Sequence, residues 1–200
     1  MAEAREALAL FQEANLSEDN GHPDGEDSEV RQHVEIWKAP PIGLVKMNWD
    51  AAVDSKQGKI GLGCIARTSN GAFLAAQSMT KMFRTEPAVA EALATSYAVI
   101  FSRELGLQRI IFKGDAQTIV KEVNKEGPCL SKYGLLVEGI QGEMRTFETA
   151  QFNFVRREAN KAAHRLAKLA TTHVTDATWL DSVPPEVCCI VRGEANISSL

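Results

Sequence analysis

The sequence predicts a mixed α/β fold, in which helices pack against a sheet of antiparallel and parallel strands. Three strand-like runs follow one another between residues 45 and 79, and Asn70-Gly71 between the last two is a strong hairpin signal. After residue 85, helical patterns alternate with short apolar runs, and strand–helix–strand units of this kind build parallel pairs. The 200 residues, 44% of them hydrophobic, suffice for one domain with a sizeable core and additional tails.

The first 36 residues are predicted to form an acidic and largely disordered arm. Residues 1–35 hold ten acidic and two basic residues, whereas the rest of the chain holds 16 acidic and 20 basic residues. The stretch SEDNGHPDGEDSE is rich in turn formers and nearly free of apolar residues, so it cannot bury a core. We expect a domain over residues 37–174, followed by a tail over 175–200 that docks partly because it contains the apolar run WLDSVPPEVCCIV.

Composition argues against membrane insertion and secretion. No run approaches about 18 consecutive apolar residues, and the N-terminal MAEAREALALFQEAN lacks the basic start of a secretory signal. The four cysteines form neither a CxxC pair nor a Cys/His zinc pattern, as is typical of a reduced intracellular protein. We expect a monomer in the nucleus or cytoplasm, without a membrane partner, whose mildly basic body is compatible with an anionic partner.

The first predicted strand lies within KMNWDAAVD, residues 46–54. Its side chains alternate, so that Met47 and Trp49 share one face while Asn48 and Asp50 point from the other. Strands are depleted in aspartate, and the neighbours of Asp50 have the pattern of a buried core. A carboxylate at this place therefore requires either a surface position or a function.

The remaining elements follow from hydrophobic periodicity and from turn-forming residues. Gly61 and Gly63 in the second strand would let another element approach its backbone closely. The clearest helix has Pro87 in its first turn and Gly106 at its C-terminal end. In chain order, the predicted elements are strands at 59–68 and 71–79, a helix at 85–106, a strand at 109–115, helices at 117–127 and 130–147, a strand at 150–157 and a helix at 160–174.

Three carboxylates occupy positions from which they could converge: Asp50 in the first strand, Glu91 in the long helix and Asp115 at the end of the fourth strand. Sequential elements in such a sheet are usually neighbours. Converging carboxylates repel one another when partly buried, and Mg²⁺ is the simplest compensation because it prefers oxygen ligands. Paired Mg²⁺ ions suit phosphoryl chemistry. Taken singly, each acid has an alternative interpretation as a solvated or salt-bridged residue.

Five segments, taken together and in order, resemble a known family. They are WKAPPIGLVKMNWDAAV, GLGCIARTSNG, AEALATSYAVIFSRELGL, IIFKGDAQTIV and VRREANKAAHRLAKLA. They are similar to the RNase H-like domain of plants, the reverse-transcriptase-like type of retroelement-derived proteins, over about residues 37–173. The resemblance implies an RNase H-like fold, with a five-stranded mixed sheet of order 3-2-1-4-5 and helices on both faces.

The same resemblance implies a two-metal nuclease that cuts the RNA strand of RNA–DNA hybrids. Carried over position by position, the family's catalytic and metal-binding acids fall on Asp50, Glu91 and Asp115. Two Mg²⁺ ions are implied, with Mn²⁺ as a substitute. One ion would activate water for attack on the scissile phosphate, and the other would stabilise the leaving 3′ oxygen.

His164 occupies the fourth catalytic position, where the familiar cellular enzymes have a carboxylate. The chain reads NKAAHRLA at this point, which resembles the A-H-x-L-A variant of the plant group. Imidazole is a poorer ligand for Mg²⁺ than carboxylate and suits Mn²⁺ or other transition ions better. A ligand role and a mere packing role for His164 both stay open.

A cluster of basic residues around the last strand and helix is predicted to bind nucleic acid without reading its sequence. Its members are Arg156, Arg157, Lys161 and Arg165, with Lys168 nearby and with Asn160 as an additional contact. Solvated helix charges are the alternative for the basic residues, and an N-cap role is the first interpretation of Asn160.

Departures from the family pattern keep a second function in view. Phe154 replaces a histidine of the plant motif H-V-P-R-E-x-N, Ala51 replaces a glycine after Asp50, and Pro87 and Ala88 replace substrate-contacting asparagines. The alternative is therefore a catalytically weak or inactive nucleic-acid-binding module derived from a retroelement. A 3′–5′ exonuclease on the same fold is less consistent, because that family carries D-x-E in its first strand.

Overall fold

The computed structural model describes residues 36–172, 175–180 and 182–197, so the predicted acidic arm lies outside the described residues apart from Ile36. The strands are β1 (Val45–Asp54), β2 (Lys59–Arg67), β3 (Phe73–Lys81), β4 (Arg109–Gly114), β5 (Thr149–Phe154) and β6 (Ala177–Trp179). The helices are α1 (Pro87–Glu104), α2 (Gln117–Asn124), α3 (Gly134–Met144), α4 (Lys161–Thr172) and α5 (Pro185–Ile197), with a short 3-10 helix at Arg157–Ala159.

The strands form one mixed sheet in the order β5-β4-β1-β2-β3-β6. The hairpin pairs β1–β2 and β2–β3 are antiparallel, whereas β1–β4 and β4–β5 are parallel. This arrangement confirms the predicted α/β fold and its strand order. The sheet has six strands instead of five because Ala177–Trp179, beyond the last predicted helix, pairs antiparallel with residues 76–78 of β3.

Helices cover both faces of the sheet, as predicted. Met47 and Trp49 lie in a core cluster that also contains apolar residues of α1, α2 and α3. A second cluster, on the other face, contains Ile65 of β2 together with apolar residues of α4 and α5. The alternation of side chains along β1 and β2 thus assigns α1 and α4 to opposite faces.

Gly61 and Gly63 let the backbone of α4 lie directly on β2. A Cβ atom at Gly61 would lie 2.0 Å from the carbonyl oxygen of Ala167, and one at Gly63 would lie 2.3 Å from the amide nitrogen of Ala167. Real Cβ atoms do not approach backbone this closely, so only glycine fits at these two positions. The predicted close approach is confirmed, and its partner is the helix that carries His164.

Two boundaries differ from the sequence-based expectation. The last predicted strand, at 150–157, ends as β5 at Phe154 because the chain turns into the 3-10 helix at Arg157. The predicted helix at 130–147 begins at Gly134, after a turn in which Gly134 donates a backbone hydrogen bond to Ser131. Among the described residues, no helix is both long and apolar enough to cross a membrane.

Candidate active site

The parallel pairing of β1 and β4 brings Asp50 and Asp115 to the same end of the sheet. Asn48 of β1 is in register with Lys113 of β4, so the same offset places Asp115 beside Asp50. Asp50 is 1% exposed. Asp115 directly follows β4 and precedes α2, which positions its carboxyl group at the carboxyl end of a central strand.

Glu91 completes a group of three carboxylates. It lies in the first half of α1, and its carboxyl group accepts a hydrogen bond from the backbone N–H of Ala51, the residue after Asp50. One oxygen of each of Asp50, Glu91 and Asp115 lies within 4.8 Å of the others. The structure therefore brings together the three acids singled out in the sequence, at a separation that a divalent cation could span.

Burial and mutual repulsion oppose ionisation of two of these acids. Burial first, and then the charges of Asp50 and Asp115, raise the pKa of Glu91 to about 9, although Arg157 and the N–H of Ala51 act in the opposite direction. Burial, followed by the charge of Asp50 and a hydrogen bond with it, raises the pKa of Asp115 to about 6. Both acids therefore release their protons at a higher pH than an exposed carboxylate does.

These shifts predict that the metal-free protein loses stability as the pH rises from 5 to 9. An acid whose pKa is higher in the folded state stabilises the fold most below its unfolded pKa and loses that contribution through its folded pKa, here about 6 for Asp115 and about 9 for Glu91. Added Mg²⁺ should offset the loss, so its stabilising effect grows with pH. Denaturant unfolding at several pH values, in chelator and in Mg²⁺, measures both trends.

Glu91→Gln is the matched control for this pH series, because the amide keeps the shape of the carboxyl group and removes its titration. The unfolding free energy of the metal-free variant should change less between pH 7 and 9 than that of the unsubstituted protein. A free energy of the unsubstituted metal-free protein that rises over this range would contradict the prediction.

His164 reaches the carboxylates from α4. Its Nδ1 atom lies 2.6 Å from Oδ2 of Asp50, so the ring nitrogen contacts one of the three acids directly. Arg157 contacts both His164 and Asp115. Its Nη2 atom lies 2.9 Å from each ring nitrogen of His164, and its Nη1 atom lies 3.7 Å from Oδ2 of Asp115. Arg157, which the sequence predicts only as a phosphate contact, therefore also contacts the carboxylate group.

A basic groove runs from this site between α4 and α5. Its lining residues are Arg157, Glu158, Lys161, His164, Arg165, Lys168 and Ile190, and its volume is about 410 Å³. Four of the lining side chains are cationic, whereas one, Glu158, is acidic. Of the predicted nucleic-acid contacts, Arg157, Lys161 and Arg165 line this groove, whereas Arg156 is an exposed residue that does not.

Asn160 lies away from the groove. It is 1% exposed, and its Nδ2 donates to the carbonyl oxygen of Trp49 at 2.9 Å and to Oδ1 of Asp115 at 3.3 Å. The residue does precede α4, where its carbonyl oxygen accepts from the N–H of His164. Its side chain, however, faces the strands and not the helix terminus, and it presents no surface to a nucleic acid.

Two polar neighbours of the site, Asn48 and Arg67, are not among the site residues predicted from the sequence. Asn48 donates to Asn160, and both Asn48 and Arg67 are 1% exposed. The signals were visible: Asn48 shares a strand face with Asp50, and Arg67 ends a strand of otherwise buried apolar residues. Neither signal identifies a partner more than 100 positions away along the chain.

Comparisons with known proteins agree in pointing to one fold. A family described as reverse transcriptase-like matches residues 48–170. A protein of Arabidopsis thaliana, provisionally named a ribonuclease H protein, is 26% identical over 156 residues, which are 78% of this chain and 25% of that protein. The chain thus spans about a quarter of the length of this relative.

Solved structures that resemble this fold include several RNases H. RNase H1 of the halophilic archaeon Halobacterium salinarum has a TM-score of 0.60 at 21% identity, over 65% of this chain and 98% of its own. An N-terminal RNase H domain from Mycobacterium tuberculosis has a TM-score of 0.59 at 21% identity, over 64% and 94%. LC11-RNase H1, solved with an RNA/DNA hybrid, has a TM-score of 0.52 at 20% identity, over 63% and 95%. At these identities the likeness establishes the fold.

Proposed function

Because the chain belongs to the reverse transcriptase-like family, we propose that it is a metal-dependent endonuclease of the RNase H type, which hydrolyses the RNA strand of RNA–DNA hybrids. The observation that carries the proposal is the group formed by Asp50, Glu91 and Asp115, whose oxygens lie within 4.8 Å of one another. The matched residues make up only 25% of the Arabidopsis relative, so the proposal concerns the activity of this domain.

The carboxylate group has the features of a divalent-cation site. Oε2 of Glu91 is buried and has no hydrogen-bond partner among the residues that the structure describes. Burial and repulsion raise the pKa of Glu91 and of Asp115, which is the electrostatic state that a bound cation relieves. The donors are hard oxygens, with His164 adjacent, so we propose Mg²⁺ as the natural ion, in two copies, and Mn²⁺ as a substitute.

Each residue of the site has a role that its position supports. Asp50, Glu91 and Asp115 would hold the cations, which supply Lewis-acid polarisation of the scissile phosphate and a water of lowered pKa. His164 would keep the Asp50 carboxylate oriented through its 2.6 Å contact. Arg157 is exposed over the site and can contact a non-bridging phosphate oxygen through its guanidinium group.

The basic groove supplies the contacts to nucleic acid. Lys161, Arg165 and Lys168 are exposed on one side of α4, at successive turns of the helix. This spacing gives a row of charges that starts beside His164 and follows the groove, as suits a sugar–phosphate backbone. The contacts carry no sequence information, so we expect binding without sequence preference.

Cleavage of a labelled RNA–DNA hybrid tests the proposal. The full chain is incubated with the hybrid in Mg²⁺, in Mn²⁺ and in chelator, beside single-stranded RNA and duplex DNA of the same sequence. We expect cleavage of the RNA strand of the hybrid that requires a divalent cation and leaves 5′-phosphates. Absence of cleavage under both ions, with the hybrid still bound, would contradict the nuclease proposal.

The double substitution Arg165→Gln and Lys168→Gln is expected to weaken hybrid binding most at low salt. Each lost phosphate contact lowers the slope of log K against log salt by about 0.9 for a duplex, so the pair should lower it by about 1.8. Fluorescence anisotropy at several salt concentrations measures this slope.

Lys121→Gln with Lys125→Gln is the matched control for the groove. These two lysines are also exposed, but they belong to α2 and to the residue after it, on the other face of the sheet. The control should leave the slope unchanged. Equal slopes for both double variants would exclude the groove as the binding surface.

One observation favours a second candidate function, a nucleic-acid-binding module with weak or no catalysis. His164, which the family resemblance assigns to the fourth catalytic position, directly contacts Asp50, and imidazole is a poor Mg²⁺ ligand. His164→Asp distinguishes the two functions. A nuclease limited by this position should gain activity in Mg²⁺ relative to Mn²⁺, whereas a module without catalysis should stay inactive with either ion.

A further inference from the structure

A buried polar relay connects the C-terminal helix α5 with the candidate active site. Its four polar members are Glu194, Arg67, Asn48 and Asn160, which are 9%, 1%, 1% and 1% exposed. Polar groups buried to this extent are retained only when they are paired. The four side chains are linked one to the next and end at the candidate active site, which indicates that their role lies at that site.

The active-site end of the relay is the amide of Asn160. Its NH₂ group donates to the carbonyl oxygen of Trp49, directly before Asp50, and to Oδ1 of Asp115. Its Oδ1 accepts from Nδ2 of Asn48 at 3.0 Å. Only one orientation of the amide satisfies these partners, because a flip would set its oxygen against two oxygens and its NH₂ group against another NH₂ group.

The side chain of Asn48 is itself held in one orientation, which determines the orientation of Asn160. Oδ1 of Asn48 accepts from Nε1 of Trp37 at 3.0 Å and from Nη2 of Arg67 at 3.4 Å, so its Nδ2 is turned toward Asn160. Trp37 is itself 2% exposed. Two donors on one oxygen thus leave Asn48 a single orientation, and that orientation sets the amide of Asn160.

The other end of the relay is the ion pair of Arg67 with Glu194. Arg67 donates through Nη1 to Oε2 of Glu194, and its guanidinium group stacks 3.7 Å from the ring centroid of Trp37. A buried guanidinium needs its anion, because an uncompensated buried charge strongly destabilises the folded state. Glu194 comes from α5, which lies beyond the segment 48–170 that the family matches.

We propose that Asn160 is a positioning residue of the active site, and that Glu194 of α5 holds it in place through Arg67 and Asn48. Asn160 joins the carbonyl oxygen of Trp49, the residue before Asp50, to the carboxyl group of Asp115, and so fixes the spacing of two of the three acids. The inference rests on the proposed function in that these acids are taken as cation ligands. According to this inference, α5 helps to position the residues of the active site.

Mn²⁺ binding by the full chain, measured by calorimetry, is the first test. Residues that orient metal ligands typically change affinity by about 10- to 100-fold when they are replaced. Asn160→Ala should therefore raise the Kd for Mn²⁺ about tenfold or more, and Glu194→Gln should raise it in the same direction by less. In the cleavage assay both variants should lower kcat and leave the KM for the hybrid almost unchanged, because the groove is intact.

Three further variants separate positioning from general stability. Val187→Ala removes a fully buried apolar contact of α5 outside the relay, and Glu186→Gln removes an exposed charge of the same helix. Val187→Ala should lower the unfolding midpoint without changing the Kd for Mn²⁺, and Glu186→Gln should change neither. Asn160→Leu keeps the approximate shape but has neither the donor nor a charge, so it should fail to restore the affinity.

A double-mutant cycle gives a readout that needs neither metal nor activity. Asn160 and Glu194 share no hydrogen bond, yet the shifts in denaturation midpoint of Asn160→Ala and Glu194→Gln should be non-additive if the relay couples them. Additive shifts together with an unchanged Kd for Mn²⁺ would overturn the inference. A protein that shows the coupling and binds Mn²⁺ but cleaves no hybrid would contradict the proposed function alone.

Discussion

Asp50→Asn is expected to lower the rate of hybrid cleavage by a factor of about 10³ or more. Asp50 is the member of the carboxylate group with 1% exposure, and it lies between Glu91, Asp115 and His164. The amide cannot carry the negative charge that a cation requires, and metal catalysis contributes several kcal/mol to such reactions, of which each 1.4 kcal/mol is about tenfold in rate. Single-turnover cleavage of the labelled hybrid measures the effect.

The matched control for Asp50→Asn is Glu104→Gln, at the exposed end of α1, which should cleave at the unsubstituted rate. The Kd of the hybrid should stay within about twofold in Asp50→Asn, because the substitution leaves the basic side chains of the groove in place. Cleavage by Asp50→Asn within tenfold of the unsubstituted protein would point to a contaminating nuclease or to a different catalytic group.

Gly63→Ala is expected to destabilise the fold by about 3 kcal/mol. The added Cβ would lie 2.3 Å from the amide nitrogen of Ala167, 2.6 Å from the carbonyl oxygen of Ala163 and 2.8 Å from the carbonyl carbon of Leu166. All three are backbone atoms of α4, so no side chain can move aside and the helix itself must shift. Because α4 carries His164, hybrid cleavage should fall as well.

Gly139→Ala provides the opposite control for this substitution. Gly139 is exposed in α3, and a Cβ there would meet nothing within 4 Å. Alanine in a helix interior is more favourable than glycine by about 0.5–1 kcal/mol, so this variant should be more stable. Denaturant unfolding compares the two, and a Gly63→Ala protein as stable as the unsubstituted one would show that α4 does not contact β2 as described.

The order of the strands could be predicted from the sequence, whereas the sixth strand could not. Alternation, the Asn70-Gly71 turn and the strand–helix–strand units are local signals, and the resemblance to RNase H-like domains added the strand order. Strand β6 has three residues and no alternation to detect. Its partners, residues 76–78 of β3, lie about 100 positions away along the chain, so the pairing is a property of the packed fold.

The carboxylate group could be anticipated because each acid occupies a telling position in its own element. Asp50 interrupts a buried strand, and Asp115 follows one. The relay could not be anticipated, since Asn48 and Asn160 are separated by 112 positions and meet only when α4 lies on the sheet. The N-cap interpretation of Asn160 was reasonable for local structure, and the stronger partners of its side chain came from tertiary packing.

The placement of α1 and α4 on opposite faces has a consequence for the mechanics of the domain. Glu91 comes from the layer above the sheet, His164 from the layer below, and Asp50 from the sheet between them. A cation bound by these side chains would link both helical layers to the sheet. Cation binding and closer packing of the three layers would then be coupled.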